Sequence, residues 1–108
     1  MAEHVQVQFT APSLEEASRL GRMVVEARLA ACAQVAGPIT STYWWEGEVT
    51  SATEWVCTLK TTSRRVPELL GALRDAHSYE VPELVVTELS GGDAAYLQWV
   101  TAETASAG

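Results

Sequence analysis

The chain has 108 residues, 14 acidic against 7 basic, with 47% hydrophobic residues and a mean hydropathy near zero, which is the composition of one ordinary globular domain. A formal charge of −7 and a single lysine, Lys60, exclude sequence-independent nucleic-acid binding and attraction to anionic membranes, since both need a surplus of Lys and Arg to meet phosphate. No run approaches the ~18 apolar residues of a membrane span, and the opening MAEHVQVQ has neither the basic nor the apolar region of a leader, so the expectation is a cytoplasmic protein. Two cysteines, Cys32 and Cys57, are too few for a disulfide framework and read as reduced thiols in apolar strands.

From Glu3 to Phe9 the residues alternate, with Val5, Val7 and Phe9 on one side and His4, Gln6 and Gln8 on the other, which predicts a strand with one buried face. Ser13 and Glu16 form an S-x-x-E capping box, and Ala17, Leu20, Val24, Ala27 and Ala31 follow at helical spacing. A second strand opens at Cys32 to Val35, bends or bulges at Gly37-Pro38 because proline cannot donate to a ladder, and resumes at Ile39. The Thr-, Val- and Trp-rich run to Thr61 predicts a long hairpin turning near Gly47. Next comes a helix with Thr62 or Ser63 as cap, Pro67 in its first turn, Val66, Leu69, Leu70 and Leu73 as its apolar stripe and His77 at its end. Glu83 to Leu89 reads as a fourth strand, and Asp93 caps a last helix to about Thr101. The order predicts an α+β, ferredoxin-like βαββαβ domain over residues 1–104 with an added C-terminal helix, and a fraying tail at 105–108.

That fold hosts several chemistries, so each must be tested on residues. A soft-metal chaperone needs CxxC in the first loop, where TAPS stands. An acylphosphatase-like enzyme needs an arginine there and an asparagine to place water, but the loop has no arginine and the chain no asparagine. RNP-like aromatic strings, GxGxxG, Walker, HExxH and GxSxG sequences are all missing. What remains is the aromatic hairpin and the region around His77. Tyr43 and Trp45 fall on one strand face and Trp44 on the other, more than one helical layer covers, so they either meet another chain or lie over their own hairpin. His77 is either a partner of the helix dipole or a ligand-binding group beside Ser78, Tyr79, Glu80 and Glu83.

The strings AACAQV from Ala30, STYWWEGEV from Ser41, LKTT from Leu59, HSYEVPEL from His77 and YLQWV from Tyr96, in that order, resemble the CutA proteins, a family named for tolerance to divalent cations. The resemblance implies a tight homotrimer, similar to the PII signalling proteins, with hairpins centred on Tyr43, Trp44 and Trp45 reaching onto neighbours. It also implies a non-enzymatic role with copper or another divalent ion bound. The family's copper ligands, a cysteine late in the first strand and two adjacent histidines, correspond to Phe9, Ala76 and His77 here, which leaves His77 as the metal-ligating candidate and weak binding as the expectation. By analogy with PII-like trimers, a small effector would lie in a cleft lined by Cys32, Lys60, Tyr79 and Glu83. The rival class is a small enzyme with Cys32 as nucleophile and His77 as base, which needs the two within hydrogen-bond reach. A pure scaffold predicts no occupied cleft.

Overall fold

A computed structural model describes residues 2–105 of the chain. The elements are β1 (His4–Ala11), α1 (Leu14–Glu26), β2 (Cys32–Trp45), β3 (Glu48–Thr62), α2 (Val66–Ala76), β4 (Leu84–Glu88) and α3 (Ala94–Glu103), with a 3-10 turn, Ser63–Arg65, leading into α2. The strands form one antiparallel sheet in the order β2-β3-β1-β4, the split βαβ topology that the sequence predicts.

Alternation along β1 puts Val5, Val7, Phe9 and Ala11 on the face beneath α1 and α2, each wholly buried. They meet Cys57 and Leu59 of β3, Ala17, Leu20 and Val24 of α1, and Leu69 and Leu73 of α2, and this set is the core. The opposite sheet face carries Gln6, Gln8, Thr58 and Lys60. α3 closes one end of that face, where Thr101 Oγ lies 2.8 Å from His4 Nε2 and Thr104 Oγ 3.2 Å from Thr62 Oγ.

Three local expectations change. Helix α1 stops at Glu26, because Arg28 turns left-handed (φ 62°) and Leu29 N–H returns to Val24 O at 2.9 Å. Ala27 is thus a C-cap, and Ala31 is a buried entry into β2, not a helical position. Ser13 caps α1 through Glu16 N–H at 3.1 Å, but the Glu16 carboxylate turns away to Ser78, so the reciprocal half of the capping box gives way to a tertiary contact. Neither Thr62 nor Ser63 caps the second helix: Thr62 bonds Thr104, the Ser63 hydroxyl donates to the Ala2 carbonyl, and the 3-10 turn supplies the entry instead.

The bulge at Gly37-Pro38 is present as a register shift between Ala36 and Ile39. Gly37 has φ 155°, and a Cβ there would stand 2.5 Å from Trp55 Cδ1, so the tryptophan lies directly on bare backbone. Beyond the bulge β2 and β3 outrun the sheet, because β1 pairs with β3 only from Trp55 onward. The result is a free two-stranded arm ending in a Glu46-Gly47 turn with both φ positive (50° and 81°), the geometry whose twist suits a two-residue hairpin. The arm stretches the molecule to 44 × 27 × 22 Å.

Candidate functional site

His77 ends α2 and points inward, its side chain fully buried. Nε2 lies 2.7 Å from Thr10 O, and a carbonyl only accepts, so Nε2 carries the proton. Nδ1 accepts the Tyr79 N–H at 3.0 Å, and Glu16 Oε2 is 3.4 Å from the same nitrogen. The ring also meets Phe9 edge-on at 6.1 Å and Tyr79 at 4.7 Å. The imidazole therefore ties β1 to the segment after α2, and in this arrangement neither nitrogen has a lone pair to offer a cation. Glu16 completes the knot by accepting Ser78 N–H at 3.0 Å and Ser78 Oγ–H at 2.9 Å. Burial alone would raise its carboxyl pKa, but the two Ser78 bonds, with His77 and Arg19 behind them, bring it below the usual value.

Tyr79 then reaches the base of the arm, where its hydroxyl donates to Glu54 Oε2 at 2.8 Å. Burial, and after it the Glu54 carboxylate as acceptor and as charge, push the phenol far above its ordinary range. Glu54 is only 7% exposed. The pair forms the floor of a groove of about 770 Å³ between arm and body, lined also by Thr10, Ser41, Thr42, Tyr43, Trp45, Glu80, Val81 and Glu83. Glu83 is held by Gln8, whose Nε2 donates to Oε2 at 3.3 Å.

Cys32 and Lys60 stand elsewhere, as cross-strand partners at the α3 end of the sheet. Cys32 Sγ is 3.5 Å from Tyr96 Oη, and Lys60 Nζ donates to Gln34 Oε1 at 3.2 Å. The contact with Cys32, then burial, raises the Tyr96 phenol to about 12. Burial, with Cys32 nearby, holds the Cys57 thiol at about 12, so it stays protonated and inert.

The residues expected to line one effector cleft thus divide within a protomer: Tyr79 and Glu83 face the groove, while Cys32 and Lys60 do not line it. Cys32 and His77 are further apart still. Lys60, the partner of Cys32, lies opposite Gln6, whereas His77 bonds Thr10, four residues along β1 or roughly 13 Å at strand rise. Within one protomer that separation keeps Cys32 and His77 out of hydrogen-bond reach. The fit to a copper site is poor for a chemical reason: Phe9 and Ala76 offer no donor, both His77 nitrogens are engaged, and among the described residues no cluster of three His, Cys, Asp or Glu is placed to hold an ion. Sequence reasoning misses Glu54, Glu16 and Tyr96. Only Glu54 leaves a signal, as a carboxylate amid the otherwise uncharged run ATEWV of β3.

Fold and site together define a small α+β protein with a four-stranded antiparallel sheet and an outreaching aromatic arm. The sequence model of the CutA1 divalent ion tolerance proteins matches residues 5–103. The divalent-cation tolerance protein CutA of Archaeoglobus fulgidus is 37% identical over 97 residues, covering 90% of this chain and 94% of that one. Its counterpart in Thermus thermophilus is 38% identical over 98 residues, with 91% and 95% covered. Among solved structures, the CutA1 of a psychrotrophic Shewanella, described as a stable protein, superposes with a TM-score of 0.94 at 31% identity over 97% of this chain and 98% of that one. The Archaeoglobus fulgidus structure, described as periplasmic, gives 0.90 at 36% identity over 94% and 98%. The chain belongs to the CutA1 family of divalent ion tolerance proteins.

Proposed function

We propose that the protein serves tolerance to divalent cations without catalysing a reaction, as a cytoplasmic homotrimer assembled through its arm. The observation that carries this reading is the family match across nearly the whole chain, 5–103, on a fold that also superposes end to end. The exposed arm supports assembly: Trp44 is 74%, Trp45 63% and Val49 59% exposed in the single chain, a surface that a second copy would bury. Two unpaired cysteines support a reducing compartment, whereas the Archaeoglobus relative is described as periplasmic, and fractionation of the cell decides between the two.

The role is tested by deleting the gene and restoring it. Loss should lower the copper or zinc concentration that arrests growth, and the intact chain should restore it; unchanged sensitivity overturns the reading. Ion binding is a separate measurement. A cation at His77 must displace the Tyr79 N–H or the Thr10 contact, so calorimetric titration of Cu²⁺ or Zn²⁺ should show weak binding that His77→Ala abolishes. Tight binding unchanged by His77→Ala places the ion elsewhere.

A further inference from the structure

The arm leaves the sheet at one sharply defined level. Pairing of β3 with β1 ends at Trp55, and the bulge between Ala36 and Ile39 interrupts the ladder with β2 beside it, so Glu54 opposite Ile39 is the first rung with no third strand alongside. From Glu54 to Glu48 at the turn the arm runs about 20 Å at strand rise, and a tilt of about 10° at the root would carry its tip through about 3–4 Å. A shift of that size breaks van der Waals contact between packed side chains. A two-stranded ribbon is only marginally stable on its own, so its direction has to be fixed from the root.

Among the described residues, one side-chain hydrogen bond crosses from the arm beyond the bulge to the body, and it grips that first free rung: Tyr79 Oη donates to the buried Glu54 at 2.8 Å. Tyr79 is itself anchored, by its N–H on His77 Nδ1 at 3.0 Å and by its ring against the imidazole at 4.7 Å. His77 in turn holds the carbonyl of Thr10, the last but one residue of β1. Trp55, next to Glu54, fills the bulge by lying on the bare backbone of Gly37.

We propose that Tyr79 is a positioning residue for assembly: a strut running from β1 through His77 and Tyr79 to Glu54 sets the angle of the arm in each protomer before it meets a second copy. The inference rests on the reading that the arm assembles the protein. Such a strut adds no contact between copies. It removes orientations that the arm would otherwise lose on docking, and so strengthens association by preorganisation.

The test is the protomer concentration at which the assembly half-dissociates, followed by analytical ultracentrifugation, together with hydrogen exchange of the arm amides. Tyr79→Phe removes the hydroxyl and keeps both the ring and the N–H on His77; it should raise that concentration roughly tenfold or more and speed exchange in the arm, with the far-ultraviolet spectrum unchanged. Glu54→Gln keeps an oxygen that accepts from the phenol and should stay within about threefold of the wild type. Thr61→Val loses an equally buried hydroxyl bond, to the Leu29 carbonyl at the other end of β3, and should leave both readouts unchanged even where it lowers the melting temperature. A wild type that runs as a single copy at every concentration overturns the assembly reading and this proposal with it. An assembled wild type matched by Tyr79→Phe, or an equal shift in Thr61→Val, overturns the strut alone.

Discussion

His77 illustrates how a residue that stands out in a sequence can be spent on architecture. Its two ring nitrogens satisfy a carbonyl of β1 and an amide beyond α2, and removing the ring strands both in a buried place. His77→Ala should therefore cost about 2–4 kcal/mol in denaturant unfolding, far more than an exposed helix-end histidine would. Glu16 adds a pH signature. Its pKa is lowered in the folded chain, so the stability it contributes is complete above its ordinary value of 4.5 and is lost as pH falls through the lower folded value. Unfolding midpoints followed downward from pH 5 should drop less steeply in Glu16→Gln than in the wild type. None of this was legible in the chain itself. Spacing marked Glu16 as a capping residue, and nothing local announces that a carboxylate leaving its own helix will find Ser78 sixty-two residues away.

At the scale of elements the reading from sequence did better, and the reason is periodicity. Val5, Val7 and Phe9 had to share a face, and Asp93 does cap α3 through Tyr96 N–H at 3.1 Å. What periodicity cannot encode is where pairing ends: the length of the free arm follows from β1 being eight residues against fifteen in β3. It likewise gives no sign that Cys32 and Lys60 fall at one end of the sheet and Tyr79 at the other. Two glycines separate packing from propensity. Gly37→Ala would drive a Cβ to 2.5 Å from the Trp55 ring at φ 155° and should lower stability by about 2 kcal/mol or more. Gly71→Ala, inside α2 with nothing within 4 Å, should raise it by about 0.5–1 kcal/mol. Thermal melts of the pair at fixed protein concentration check both signs.

For the whole molecule the decisive question is how many copies make the working unit. Light scattering should give three times the 11.7 kDa protomer mass at micromolar concentration, and the melting temperature should rise with concentration because unfolding also separates subunits. Trp44→Ser with Trp45→Ser should shift the mass downward and remove that concentration dependence; a wild-type protomer mass would refute the assembly. The same arm governs how the protein reports on itself to an optical probe. Of four tryptophans, Trp44 and Trp45 stand on the arm and Trp99 sits half-exposed on α3, while Trp55, half-buried at the arm's root, packs against the apolar core. Indole emission from this chain is therefore weighted toward what the arm and the last helix touch, with Trp55 alone reporting on the interior. A fluorescence transition that precedes the loss of far-ultraviolet ellipticity would time the parting of the copies, and the interval between the two would be the lifetime of a folded single protomer.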